Sequence, residues 1–94
     1  MVPYEVTYIV NSTLDDAAVE SLVERFSSLI TTTGGEVLKL DKAGKRKLAY
    51  EIKGHKEGYY VFAQFRAPKE TASELARQLR LADEVLRSLI VKGN

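Results

Sequence analysis

The sequence predicts an α+β fold of two layers, and two observations carry that prediction. Stretches in which apolar residues recur at every second position, typical of strands, flank two stretches in which they recur at every third or fourth position, typical of helices. The order is strand, helix, strand, strand, helix, strand. Because two helices with short connections cover only one face of a four-stranded sheet, we expect a ferredoxin-like βαββαβ sandwich, with antiparallel strands in the order four, one, three, two.

The first strand and the first helix take up the opening part of the chain. Residues 3–10 are β-branched and aromatic, with alternating faces, and predict strand one. The period then changes to that of a helix, whose apolar stripe runs over residues 19–30. Asp15 is the predicted N-cap of this helix, and Gly34 with Gly35 is its predicted end.

The remaining elements follow at short intervals. Strand two begins at residues 36–40 and continues, through a bend near Gly44, into residues 48–52. The polar, glycine-containing residues 53–57 predict the reversal into a third strand over residues 58–66. Thr71 to Glu74 matches a capping box for helix two. Strand four is predicted over residues 85–92, and the whole chain, residues 1–94, is predicted to be one domain.

The third strand carries apolar side chains on both faces. Tyr60 and Phe62 share one face, while Tyr59, Val61, Ala63 and Phe65 share the other. An antiparallel sheet that is packed on one side alone normally alternates apolar with polar residues. We therefore expect this strand to be central and its second face to be covered, with another molecule as a candidate cover. The alternative is that aromatic residues simply suit a pleated surface.

Charge is unevenly distributed along a chain whose formal net charge is only +1. Residues 11–41 carry six acidic and two basic side chains, a net charge of −4, whereas residues 42–56 carry six basic and one acidic side chain, a net charge of +5. The run Lys45-Arg46-Lys47 lies within the basic segment. Such a local patch predicts contact with phosphate groups, and an ordinary solubilising surface is the alternative.

The sequence gives no support to catalysis or metal binding. There is no cysteine, and the single histidine, His55, falls in the predicted reversal without a partner for acid–base work. An acylphosphatase-like enzyme of this fold would need a phosphate cradle after strand one, but residues 11–14 contain neither glycine nor arginine. We predict a non-catalytic, cytoplasmic protein with no cofactor, metal, membrane contact or small-molecule substrate.

Several segments together resemble the bacterial small-ribosomal-subunit protein six family. They are Tyr4-Glu5-Val6, the run from Gly44 to Ile52 (GKRKLAYEI), Gly58-Tyr59-Tyr60, and Leu75 to Arg80 (LARQLR) leading to Val85-Leu86-Arg87. The resemblance extends essentially from end to end. One departure is that Val2 and Pro3 stand where members of the family often have basic residues; another is the lack of the longer carboxyl-terminal tail that some members carry.

The resemblance implies a structural protein of the small ribosomal subunit. It implies binding to the central domain of small-subunit (16S) ribosomal RNA together with small-subunit protein eighteen, as a heterodimer. The candidates that it implies for RNA or partner contact are Tyr4, Lys45, Arg46, Lys47, Arg80, Arg87 and Lys92, and the candidates for the sheet face that meets the partner are Tyr60 and Phe62. The alternative function is an RRM-like module that binds single-stranded RNA.

Overall fold

A computed structural model describes residues 1–93 and contains the expected six elements in the expected order. They are β1 (Val2–Asn11), α1 (Asp16–Thr32), β2 (Glu36–Ile52), β3 (His55–Ala67), α2 (Lys69–Leu81) and β4 (Val85–Lys92). The bounds of β4 are those predicted. Within residues 1–93 no helix is long and apolar enough to cross a membrane.

The four strands form one antiparallel sheet in the order β2-β3-β1-β4. This order confirms the prediction and makes β3 central. β2 has its predicted extent, because the segments before and after Gly44 form one strand with a register shift at that point. The reversal is shorter than expected: Ile52 pairs with His55, so that only Lys53 and Gly54 make the turn.

The helices cover one face of the sheet, and the main core lies between the two layers. Alternate residues of β1 point into it, and the ring of Tyr8 meets the ring of Phe26 on α1 edge to face at 5.4 Å. Phe65 on β3 is fully buried beneath α2, with Leu75 and Leu79. Burial raises the pKa of the Tyr8 phenol above its usual range, because the charged form is poorly solvated there.

Side-chain and backbone groups satisfy the ends of α1 as the sequence predicts. Oδ1 of Asp15 accepts a hydrogen bond of 2.8 Å from the amide of Ala18. At the other end the amide of Gly35 donates to the carbonyl of Ile30, five residues earlier, at 2.8 Å. This is the 6→1 bond of a Schellman motif.

The capping box predicted for α2 is wrong. The helix begins at Lys69, three residues earlier than a Thr71 cap requires, and Pro68 is its N-cap without a side-chain hydrogen bond. Thr71 is instead buried, and its hydroxyl donates to the carbonyl of Thr33 at 3.0 Å. The local pattern failed because this hydroxyl satisfies a carbonyl at the end of α1, a tertiary contact that local spacing does not reveal.

We expect Thr71→Val to lower the free energy of unfolding by about 1–2 kcal/mol, because the isosteric side chain leaves a part-buried carbonyl without its donor. Thr71→Ser keeps the hydroxyl and serves as the control. Urea denaturation of both variants measures the difference. Equal stabilities for Thr71→Val and Thr71→Ser would show that the hydrogen bond does not join the two helices.

Candidate RNA and protein interface

The hairpin formed by the end of β2 and the start of β3 bends over the sheet face that the helices leave uncovered, here called the open face. Its residues Leu48, Tyr50 and Ile52 line a groove of about 350 Å³ together with Ile9 of β1 and Leu89 of β4. Ile9 is only 8% exposed although it lies outside the main core cluster. The bent hairpin therefore builds a second, small apolar cluster on the open face.

A close passage between β3 and β1 makes this bend possible. A Cβ atom placed on Gly58 would lie 2.2 Å from Cγ2 of Ile9 and 3.5 Å from Cδ2 of Leu48. No residue with a side chain fits this position without displacing its neighbours. The guanidinium of Arg87 on β4 also donates a hydrogen bond to the Tyr50 hydroxyl, which ties the hairpin to the far edge of the sheet.

The two aromatic residues predicted for the partner face lie next to each other on the open face. Tyr60 and Phe62 are half-buried, and their ring centroids are 6.2 Å apart. The guanidinium carbon of Arg46 stands 5.7 Å from the first centroid and 6.0 Å from the second, which is cation–π distance. Arg46 thus belongs to the same patch as the aromatic pair.

Further apolar side chains lie on β4, across β1 from this pair. Leu89 is 64% exposed and Val91 is 46% exposed, and their register partners Thr7 and Glu5 place both on the open face. The open face therefore presents a strip of apolar groups with Arg46 at the β2 side and Arg87 at the β4 side. Exposed apolar surface of this kind is typical of a protein-interaction site.

The basic run at residues 45–47 is divided between the two faces of the sheet. Lys45 pairs with Tyr59 and Lys47 with Glu57, so both side chains lie on the face opposite to Arg46. Lys42 is also removed from the patch, because its ammonium forms an ion pair with Glu20 of α1. The hydrogen bond from the Lys42 ammonium to the Glu20 carboxylate raises the pKa of Lys42. The three consecutive cations therefore do not share one face of the sheet, and their contact with phosphate stays a prediction.

The other predicted cations fall at two distant places. Arg80 and Arg87 line one hollow beside the start of β4, together with Lys53 from the hairpin turn. Lys92 pairs with Tyr4 at the opposite end of β4, about 17 Å away at the usual rise per strand residue. Tyr4 is 8% exposed and its ring stacks on Phe65 at 5.3 Å, so its ring belongs to the core. A role for Tyr4 in RNA contact stays a prediction.

Comparison with known proteins identifies the family, which the fold alone does not. The family profile described as "Ribosomal protein S6" matches residues 3–92. This chain belongs to the ribosomal protein S6 family. Family membership confirms the predicted resemblance, and with it the expectation of a structural, cytoplasmic ribosomal protein that is not an enzyme.

Individual relatives agree with the family profile. The chain is 51% identical over 89 residues to "Small ribosomal subunit protein bS6" of Carboxydothermus hydrogenoformans, covering 95% of this chain and 93% of the relative. It is 40% identical over 89 residues to the protein of that name from Moorella thermoacetica, covering 95% and 91%. A crystal structure of 30S ribosomal protein S6 from Thermotoga maritima superposes with a TM-score of 0.93 at 31% identity, covering 98% of this chain and 87% of that one.

Sequence reasoning missed three residues that shape this S6-family surface. Lys53 and Tyr50 are far in sequence from the Arg80 and Arg87 that they approach, and only the bend of the hairpin brings them there. Leu89 was assigned to a strand but not to an exposed surface. The alternation along β4, which puts Leu89 on the same face as Arg87, was the available signal. Within residues 1–93 no group of side chains suited to holding a metal ion occurs.

The close passage in this S6-family member is tested by Gly58→Ala. We expect the added methyl group to lower the free energy of unfolding by about 1–3 kcal/mol, because it overlaps the Ile9 side chain. Combining it with Ile9→Ala removes the overlapping atom. The double variant should therefore lose at least about 1 kcal/mol less than the sum of the single losses, as measured by urea denaturation. Strict additivity would contradict the proposed contact.

Proposed function

We propose that the chain binds the central domain of small-subunit (16S) ribosomal RNA together with small-subunit protein eighteen. The observation that carries the proposal is the open face, an apolar strip with an arginine on either side. Leu89, Val91, Phe62 and Tyr60 supply the apolar groups, and Arg46 and Arg87 supply the charge. Interfaces of this composition place apolar anchors at the centre and arginines at the rim.

The two ligands use different parts of this surface. Protein eighteen covers the apolar strip, since apolar area removed from water stabilises a protein complex. RNA takes the cations that border the strip, of which Arg87 and Arg80 lie at the β4 end. Lys92 lies at the opposite end of β4, on the helix side like its register partner Tyr4, and is a second RNA contact in this proposal. Lys45 and Lys47 face the helix side and contribute only to the long-range positive potential that attracts RNA.

The family favours this function over the RRM-like alternative. In an RRM, aromatic rings on the open sheet face stack directly on unpaired bases. Here Arg46 lies over the rings of Tyr60 and Phe62, and the hairpin covers the adjoining part of that face. Tight binding of single-stranded oligonucleotide without protein eighteen would favour the RRM-like function.

The protein contact is tested by Leu89→Glu, with Leu81→Glu as the matched control. Leu89 is 64% exposed on the open face, whereas Leu81 is 60% exposed on α2, away from that face. We expect Leu89→Glu to weaken the complex with protein eighteen by at least about tenfold, because a charge is placed in an apolar contact. Titration calorimetry without RNA measures this effect.

Unchanged affinity of Leu89→Glu for protein eighteen would remove the open face from the protein contact. Equal weakening by Leu81→Glu would show a general effect of added negative charge. Binding of the wild-type protein to a central-domain RNA fragment is measured in parallel, with and without protein eighteen, at two salt concentrations. No gain in RNA affinity from protein eighteen would contradict joint binding.

A further inference from the structure

A hollow of about 370 Å³ lies between the hairpin turn, the end of α2 and the start of β4, and we call it the cationic pocket. Its charged lining residues are Lys53, Arg80 and Arg87. The rest of the lining is Ser88 and apolar side chains, and no acidic residue contributes to it. The hairpin turn thus brings Lys53 to the two arginines, which lie on consecutive elements more than 25 residues further along the chain.

The position of Lys53 is set by the same bend that builds the open face. The close passage of Gly58 over Ile9 and the hydrogen bond from Arg87 to the Tyr50 hydroxyl hold the hairpin against β4. Its turn then reaches past the edge of the sheet towards Arg80. A straight hairpin would carry Lys53 away from Arg80 and Arg87, because β3 extends beyond the end of β1 at Gly58.

The backbone at Lys53 also distinguishes this residue. Lys53 has φ 50° and Gly54 has φ 82°, between the paired residues Ile52 and His55. Positive φ at both central positions marks a type I′ turn, in which asparagine is the favoured first residue. Lysine is disfavoured in this conformation. An outlier of this kind, with its charge placed among other cations, points to a role in binding.

None of the three cations is neutralised within the described chain. The ion pairs among residues 1–93 do not include Lys53, Arg80 or Arg87. Arg80 in the last turn of α2 complements the helix dipole, which accounts for one cation but not for their convergence. Like charges in one hollow repel one another, and a bound anion relieves that repulsion.

We propose that the cationic pocket binds a backbone phosphate of RNA and that Lys53 is an RNA-binding residue. Arginine forks donate to both non-bridging oxygens of a backbone phosphate, and lysine adds a mobile point charge beside them. The apolar lining, which includes Leu89 and Ile90, suits the sugar next to that phosphate. This inference rests on the proposed RNA binding and adds a site to it.

The test uses Lys53→Asn, because asparagine suits the type I′ turn while the ammonium group and the stem that carries it are removed. Lys56→Gln is the control, since Lys56 is an exposed lysine of the same hairpin that does not line the pocket. Lys53→Arg restores the charge. Each variant is combined with protein eighteen, and binding to the central-domain RNA fragment is measured over a series of salt concentrations.

We expect Lys53→Asn to weaken RNA binding about 3- to 10-fold and to reduce the log–log salt slope by about 0.7–0.9, the contribution of one phosphate contact. Its melting temperature should be unchanged or higher. Lys56→Gln and Lys53→Arg should retain the wild-type slope. A wild-type affinity and slope for Lys53→Asn, or an equal effect of Lys56→Gln, would overturn the pocket while leaving RNA binding intact. Absence of RNA binding by the wild-type protein would overturn the proposed function itself.

Discussion

The close passage of Gly58 over Ile9 is the contact on which the shape of the interaction surface depends. At this point Cγ2 of Ile9 on β1 lies against the backbone of the neighbouring strand β3, and residue 58 has no side chain to separate them. The end of β2 consequently bends down, and Leu48 joins Ile9 in an apolar cluster on the open face. Any side chain at residue 58 pushes the hairpin away, because the space is already filled.

Arg87 connects the two halves of the surface. It lines both the apolar groove and the cationic pocket, and it donates a hydrogen bond to the Tyr50 hydroxyl. Tyr50 and Lys53 belong to the same hairpin, so a displacement of the hairpin alters both surfaces together. A protein bound on the groove and RNA bound at the pocket would each favour the hairpin in its bent position against β4. The two binding events would therefore be linked through this one structural element.

Local patterns predicted the elements well because each pattern is decided by neighbours along the chain. The period of apolar residues located the strands and helices, and the side chain of Asp15 caps α1 as its type and position indicated. The apolar faces of β3 correctly indicated a central strand. Thr71 was assigned wrongly because its partner, the carbonyl of Thr33, is 38 residues away along the chain.

The candidate site was less predictable for the same reason. Strand alternation alone separates Lys45 and Lys47 from Arg46. Which face of the sheet each side chain takes depends on the register with β3, which the run of basic residues does not reveal. The approach of Lys53 to Arg80 depends on a long hairpin that bends out of the plane of the sheet. Bends of this kind arise from contacts between strands, here Gly58 with Ile9, rather than from local propensity.

The central claim is that the hairpin is held in its bent position against β4, and a distance measurement tests it most directly. Because the chain has no cysteine, Lys53→Cys and Arg80→Cys can be combined and spin-labelled without removing native thiols. Pulsed electron spin resonance of the free protein then reports the separation of the hairpin turn from the end of α2. A short, narrow distance distribution, which lengthens and broadens when Gly58→Ala is added, is the predicted result. A broad, long distribution that Gly58→Ala does not alter would contradict the account.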